Sequence, residues 1–210
     1  MKPQVNIQNF RFPFIETERL LLRCFEAGDL DFVCEIFNDE EVQKYLSPAN
    51  RRTRTQLQTT LNNLVTRWTE RNFGLWCVCE KTTGKAIGYC GFQYFVKPPE
   101  VEILFGFLKQ SWGFGLAGEA ADACLRYGFE KLFFGKVFAA THPKNAASQI
   151  VLEKIGMRFD KKIEQYRMDL MIYVVFRENY RPKKIFYKLT CETLGKLQID
   201  SKAAIQSGSF

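Results

Sequence analysis

Apolar positions follow two different periods along this chain. One stripe recurs at the helical spacing of about 3.6 residues: Leu57, Leu61, Leu64, Val65 and Trp68. The sequence Thr53-x-x-Gln56 directly before it fits a capping box, so a long helix is predicted to begin there. Asp29 precedes a shorter stripe and is predicted to cap a second helix that carries Leu30, Val33 and Phe37 on one face.

Strand patterns dominate the rest of the chain. A first strand is predicted at about 19–25, and the segments 73–80 and 85–95 flank the turn Thr82-Thr83-Gly84 as a hairpin. Pro98-Pro99 ends that hairpin. Further strands are predicted at 100–108, 135–140 and 168–177, with helices at 115–132 and from Ala146 to a C′ glycine at Gly156. This order predicts a mixed α/β sheet with helices on both faces.

Length and composition favour one folded domain with short ends. The 210 residues are 46% hydrophobic, enough for one sizeable core. We assign an N-terminal arm to 1–14, the domain to 15–180 and a basic C-terminal extension to 181–210. The net charge is +7, of which +4 lies in the last 30 residues. Such a balance suits an anionic ligand or an acidic partner without requiring nucleic acid.

The cysteines and the N-terminus indicate a cytoplasmic protein with reduced thiols. Seven cysteines are scattered along the chain, and the first residues lack the apolar core of a signal peptide. No apolar run is long enough to span a membrane. Cys77 and Cys79 would share one face of a strand, but a single histidine leaves few ligands for zinc, so no metal is predicted.

A glycine-rich segment follows the strand at 100–108. Residues 111–118 read Ser-Trp-Gly-Phe-Gly-Leu-Ala-Gly, and a helix is predicted to start inside them. Small residues at a helix start let backbone N–H groups converge on an anion. The spacing matches neither G-x-G-x-x-G nor a Walker loop, so a dinucleotide fold and an NTPase are poorly supported. The glycines could also serve only a tight turn.

A second segment, Asn145-x-x-Ser148-x-x-Val151-Leu152-Glu153-Lys154-x-Gly156, follows in the order that a known family shows. Together with Glu16 to Arg23 and Glu102 to Ala120, it makes the chain resemble the GCN5-related N-acetyltransferase (GNAT) superfamily. Within the superfamily, the chain resembles the branch of ribosomal-protein alanine N-acetyltransferases (RimJ/RimL type). The family signature Gln/Arg-x-x-Gly-x-Gly/Ala fits on Trp112 to Ala117, and by letters also from Gln110. The resemblance implies a GNAT fold of about seven strands, splayed between the fourth and fifth.

The same resemblance implies a site for acetyl-CoA as co-substrate. Phe107 and Leu108 would offer backbone groups to the pantetheine arm. The diphosphate would lie on the N–H groups of Gly113, Phe114, Gly115, Leu116, Ala117 and Gly118. Asn145 would contact the pantetheine or phosphate arm, and Ser148 would lie near the thioester sulfur as the general acid. Transfer to an amine would be direct, because no cysteine has a histidine partner that suggests a nucleophile.

Glu102 is the candidate base, because it interrupts an otherwise apolar strand and burial there would raise its pKa. Glu100 shares its strand face and would act in the same direction. An α-amine with a pKa of about 7.8 is roughly 15% neutral at pH 7, against about 0.04% for lysine. An N-terminal acceptor therefore needs only modest help. Tyr45 and Trp76 are predicted to be core residues, and His142 a loop residue.

The acceptor stays open at this point. We expect a protein or peptide N-terminus, ribosomal proteins included, and the alternatives are a small-molecule amine (aminoglycoside or polyamine) and a non-catalytic module that binds acyl-CoA. The basic extension could dock on a ribosome or nucleic acid, although no direct nucleic-acid partner is expected. A homodimer is possible, and no membrane association is predicted.

Overall fold

Nine strands form one mixed sheet in the computed structural model, within the residues it describes (12–45, 51–95, 99–165, 168–183 and 185–190). The strands are β1 (Phe14–Thr17), β2 (Leu20–Cys24), β3 (Leu75–Glu80), β4 (Ala86–Tyr94), β5 (Val101–Phe107), β6 (Lys136–Thr141), β7 (Arg158–Gln165), β8 (Met168–Phe176) and β9 (Tyr187–Thr190). Their order is β7-β8-β6-β5-β4-β3-β2-β1-β9, and only β5 and β6 pair in parallel. The predicted fold class is confirmed, with nine strands instead of about seven.

Five helices are described: α1 (Leu30–Asn38), α2 (Glu40–Gln43), α3 (Arg54–Arg71), α4 (Leu116–Glu130) and α5 (Ala146–Lys154). The capping box of α3 is confirmed, since Gln56 N donates to Thr53 Oγ1 and Thr53 N donates to Gln56 Oε1. Asp29 does stand at the N-cap of α1, but its carboxylate accepts from the Arg23 guanidinium at 2.6 and 2.7 Å and does not cap the helix. None of the helices in the described part of the chain is both long and apolar enough to cross a membrane.

The helices cover both faces of the sheet, because successive strand residues point to opposite sides. On β2, Leu20 and Leu22 pack in the cluster that holds α4 and α5, whereas Leu21 packs in the cluster of α1, α2 and α3. Trp76 on β3 is fully buried, which confirms its core role. Tyr45 is only half-buried, and its ring stacks on that of His142 with 5.5 Å between centroids. The core interpretation of Tyr45 was therefore wrong.

Three strands differ from the sequence-based expectation. The edge strand β7 is almost entirely exposed and rich in charge, so it shows no apolar alternation. Strand β1 begins at Phe14, inside the predicted N-terminal arm, and β9 lies inside the predicted basic extension. These two short segments pair with each other in antiparallel register, from Phe14↔Thr190 to Thr17↔Tyr187. Residues 191–210 of the extension lie outside the described residues.

The parallel pair β5 and β6 separates after a single registered position, Glu102↔Phe138. Leu108 N donates to Ile87 O and Phe95 N donates to Glu100 O, so the even-numbered residues of β5 turn their backbone groups to β4. The odd-numbered residues Phe105 and Phe107 therefore direct their N–H and C=O groups towards β6, beyond the point where β6 pairs. A gap opens there between the strands predicted to splay, and the Phe105 and Phe107 backbone groups that face it lie beyond the single registered pair of β5 with β6.

Candidate active site

The glycine-rich segment forms a turn that delivers the chain into α4. Gly113 and Gly115 adopt left-handed backbone conformations with φ of +83° and +77°, and Gly115 is the N-cap of the helix. A Cβ added at Gly113 would meet no atom of the described residues within 4 Å, so the glycine is needed for its dihedral angle and not for space. The first helical bond runs from Glu119 N to Gly115 O. The N–H groups of Leu116, Ala117 and Gly118 consequently have no acceptor within the helix, as an anion site requires.

Trp112 connects this turn to the end of β5. Its indole Nε1 donates to the carbonyl of Phe107 at 2.6 Å, and the side chain is 43% exposed. The Phe107 carbonyl therefore already has one partner on the gap side. The indole fixes the distance between the strand end and the glycine turn.

Leu108 is less suited to the predicted contact than the resemblance suggests. Its N–H donates to Ile87 O at 2.9 Å, and its carbonyl accepts from Ser111 N at 2.8 Å. Any contact of Leu108 with a ligand would have to use the second lone pair of that carbonyl, because the N–H faces β4. Phe107, whose backbone faces the gap, remains the better predicted contact.

Glu102 lies on the opposite side of the sheet from α4. Its pair partner on β4 is Gln93, whose Nε2 donates to Glu102 Oε1 at 2.7 Å. Gln93 Oε1 in turn accepts a long bond of 3.5 Å from the α3 residue Arg67. Burial raises the pKa of Glu102 from 4.5 to about 7, while the Gln93 bond opposes that rise. The carboxyl group can therefore take up and release a proton near neutral pH.

Glu100 does not raise the pKa of Glu102 as the sequence suggested. Its carboxylate is partly exposed and lies 3.6 Å from Lys136 Nζ. Burial accounts for the raised pKa of Glu102, and the bond from Gln93 partly offsets it. The like-charge contribution that the sequence suggested for Glu100 is replaced by an ion pair with Lys136.

Asn145 and Ser148 stand together at the start of α5. The Asn145 carbonyl oxygen Oδ1 accepts from Ser148 N at 3.1 Å, so Asn145 is the helix N-cap. Ser148 is half-buried in the first turn. His142 lies in the loop before them, as predicted, and its Nδ1 accepts from Lys144 N. The two predicted residues thus lie just beyond the end of β6, on the far side of the gap from β5.

Two features of the site escaped the sequence-based reasoning. Thr141 ends β6 with a buried hydroxyl that finds no hydrogen-bond partner among the described residues. It shares a face with Val137 and Ala139, which pack in the cluster of α4 and α5. A buried hydroxyl without a partner is rare in folded proteins and points to a ligand contact. The sequence offers no signal for it, because a threonine at a strand end is ordinary.

The second feature is a group of residues behind the glycine turn. Thr17, the last residue of β1, and Arg19, in the turn before β2, both bind the carboxylate of Glu119 in the first turn of α4. Thr17 and Arg19 belong to a segment that supported the family resemblance, but no role followed from it. The contact joins residues about 100 positions apart and is visible only in the fold.

The cysteines take no part in these contacts. The described ones are free, and all but Cys34 are buried. Cys77 and Cys79 do share one strand face, with 4.0 Å between their sulfur atoms. Burial raises the pKa of the Cys24 and Cys124 thiols and so favours their neutral form, which is a poor nucleophile.

The fold and this arrangement place the chain in the class of acyltransferases. The family described as acetyltransferase (GNAT) domain matches residues 19–158. Protein YkkB of Bacillus subtilis (strain 168), which is uncharacterized, is 36% identical over 162 residues, covering 75% of this chain and 92% of the relative. The uncharacterized N-acetyltransferase YoaA of the same organism is 27% identical over 156 residues, covering 74% and 88%. The chain belongs to the GNAT acetyltransferase family and is an N-acetyltransferase.

Solved structures agree with this assignment. A GNAT-family acetyltransferase from Bacillus anthracis is 29% identical with a TM-score of 0.69, covering 79% of this chain and 99% of that one. Ribosomal-protein-S5-alanine acetyltransferase from Vibrio fischeri is 18% identical with a TM-score of 0.69, covering 80% and 99%. Spermidine N-acetyltransferase from Vibrio cholerae, solved with CoA and spermine, is 18% identical with a TM-score of 0.66, covering 77% and 97%. The last two share the fold, and they act on different amines.

Proposed function

We propose that this enzyme transfers the acetyl group of acetyl-CoA directly to a primary amine, and that the acceptor is the N-terminal amine of a protein or peptide. The observation that carries the proposal is the position of Glu102. It is buried on one face of the sheet, next to the gap between β5 and β6, and the proposed anion site at α4 lies on the opposite face. A donor that enters through the gap would bring its thioester from the α4 side to the Glu102 side.

The donor site has the chemistry that CoA requires. The N–H groups of Leu116, Ala117 and Gly118 suit the diphosphate. The backbone of Phe107, at the gap, suits the amide groups of the pantetheine arm. The unpartnered hydroxyl of Thr141 supports the same interpretation, because a bound arm would give it a hydrogen-bond partner.

In the proposed reaction Glu102 accepts a proton from the acceptor amine, directly or through one water. The neutral amine attacks the thioester carbonyl, the new N–C bond forms, and the C–S bond breaks. Ser148 would donate its hydroxyl proton to the departing sulfur and take up the second proton, which the nitrogen releases as the amide forms. A carboxyl group with a pKa of about 7 is well matched to an α-amine, whose pKa is about 7.8, and poorly matched to lysine at about 10.4.

An acceptor screen tests this proposal. Acetyl-CoA would be combined with a peptide that has a free N-terminal alanine, an Nα-blocked lysine peptide, spermidine and an aminoglycoside, and free thiol would be measured. We expect release only with the free α-amine, confirmed by mass spectrometry of the acetylated peptide. Turnover with spermidine alone would move the acceptor to the polyamine class. A chain without turnover or CoA binding would refute the proposal.

A further inference from the structure

An ion pair between the buried carboxylate of Glu119 and the exposed side chain of Arg19 lies directly behind the proposed diphosphate site. The Glu119 carboxylate, 8% exposed, accepts from Thr17 Oγ1 at 2.6 Å, from Arg19 N at 2.9 Å and from Arg19 Nε at 2.7 Å. Arg19 Nη2 lies 2.6 Å from the same carboxylate. Burial alone would raise the pKa of Glu119, but these bonds outweigh it and the net pKa is lowered. Glu119 is therefore ionised at neutral pH.

Arg19 also holds the glycine turn itself. Its Nη1 donates to the carbonyl of Phe114 at 2.8 Å, so one guanidinium joins the helix residue Glu119 to the loop residue Phe114. In a trans peptide, the C=O of one residue and the N–H of the next point in opposite directions. The bond to Phe114 O therefore turns the N–H of Gly115 away from Arg19. Gly115 has a left-handed conformation, in which glycine has little intrinsic preference and needs such a restraint.

We infer that Thr17, Arg19 and Glu119 form a clamp that orients the glycine turn for a diphosphate group. The clamp would act as a positioning device for the donor site, and it rests on the proposed use of CoA. It would fix the Phe114–Gly115 peptide and the first turn of α4 relative to the β1–β2 turn. Arg19 would also neutralise Glu119, whose charge would otherwise repel an anion at the helix start.

The substitution Glu119→Gln separates positioning from simple electrostatics. If only charge matters, removing a carboxylate beside an anion site strengthens the binding of CoA. If the clamp orients the turn, CoA binds more weakly to the variant. The glutamine amide would direct N–H groups at the N–H donors of Arg19, so the contact would be lost and the turn would loosen. The two views predict opposite signs for the change in the dissociation constant of CoA, measured by calorimetry.

The substitution Arg19→Gln removes the bridge to Phe114. We expect the Kd of CoA to rise about tenfold to a hundredfold, the range for a lost hydrogen bond to a charged group, with Arg19→Lys in between. Turnover with S-acetylpantetheine, which lacks the diphosphate, should change by no more than about threefold, because the rest of the site is untouched. Arg54→Gln is the matched control, since Arg54 pairs with Asp31 at 2.7 Å on the exposed surface.

Three results would contradict the clamp. They are an unchanged affinity for CoA in Arg19→Gln, tighter CoA binding in Glu119→Gln, or an equal loss of turnover in Arg19→Gln with acetyl-CoA and with S-acetylpantetheine. The last result would mean that the ion pair only supports the fold, and melting temperatures of all variants would show it. If the wild-type chain fails to bind CoA, the proposed function itself is refuted. If the wild type binds and the variants match it, the clamp alone fails.

Discussion

At the scale of single residues, the environment of Glu102 sets its chemistry. An exposed glutamate is ionised at neutral pH and is a weak base, whereas burial between β4 and β6 brings the pKa of Glu102 to about 7. Glu100, only two positions away, is partly exposed and paired with Lys136. The two carboxylates thus provide a natural pair of test and control.

Glu102→Gln is expected to lower kcat by about a hundredfold, the lower end of the range for a general base. In the wild type, kcat should rise with pH through about 7, as the carboxyl group loses its proton. The variant should lose this limb of the pH profile, measured by free-thiol release with a saturating peptide acceptor. Glu100→Gln should keep the wild-type kcat and the same rise of kcat with pH. An unchanged profile in Glu102→Gln would remove the residue from the mechanism.

The same substitution is expected to stabilise the fold at alkaline pH. Glu102 binds its proton more tightly when folded, so its stabilising contribution is complete below 4.5 and is lost as pH rises through 7. A rise in pKa from 4.5 to about 7 corresponds to roughly 3 kcal/mol. Glutamine stays neutral, so urea unfolding at pH 8 should show a more stable variant, with the difference shrinking towards pH 5. A variant less stable at both pH values would contradict the burial argument.

Gln93→Leu should move the acidic limb of kcat to higher pH. The Gln93 bond stabilises the ionised form of Glu102, so its loss raises the pKa further. A hydrogen bond to a charged group corresponds to a displacement of about one pH unit. Rates of variant and wild type should converge near pH 9. A limb that moves to lower pH would show that Gln93 does not act through Glu102.

At the scale of elements, the turn before α4 and the start of α5 follow local rules that the sequence displays. Gly115 is left-handed at the N-cap of α4, Asn145 caps α5, and Gly156 ends that helix with φ of +87°. The hairpin of β3 and β4 turns at Gly84, as predicted. Each of these features depends on neighbours in the chain, which is why it was predictable from the sequence.

Gly115→Ala and Gly118→Ala are expected to have opposite effects on stability. Alanine at Gly115 must adopt the left-handed conformation, at a cost of about 1 to 2 kcal/mol, and should weaken CoA binding. Gly118 is inside the first turn of α4, and a Cβ there would meet none of the described residues within 4 Å. Alanine at Gly118 should raise stability by roughly 0.5 to 1 kcal/mol. Urea unfolding measures both, and a destabilised Gly118→Ala would contradict the helical assignment.

At the scale of the whole molecule, the C-terminal segment completes the sheet. Strand β9 pairs with β1, and Tyr180 donates its hydroxyl hydrogen towards Asp122 O on α4 at 3.0 Å. The net charge of +4 in the extension lies entirely within 181–188, because the two lysines after 190 are balanced by Glu192 and Asp200. The basic part of the extension is therefore largely attached to the domain.

Two truncations test this division. Removal of 191–210 should leave binding to anionic partners unchanged, because the removed segment carries no net charge. Removal of 181–210 deletes β9 and the Lys183 N bond to Asp122, and should lower the melting temperature clearly. Differential scanning calorimetry and salt-dependent binding to ribosomes would measure these effects. A shorter truncation that abolishes ribosome binding would place the docking role after 190.

The sequence by itself determined the helix caps at Thr53 and Asn145, the hairpin and the glycine turn, because each depends on residues close together in the chain. The family followed from three such local motifs in their order along the chain. Only the tertiary structure decided the separation of β5 from β6, the burial of Glu102 beside Gln93, the pairing of Glu100 with Lys136, and the contact of Thr17 and Arg19 with Glu119. These contacts join distant segments, and burial and pairing there depend on packing that no local pattern records.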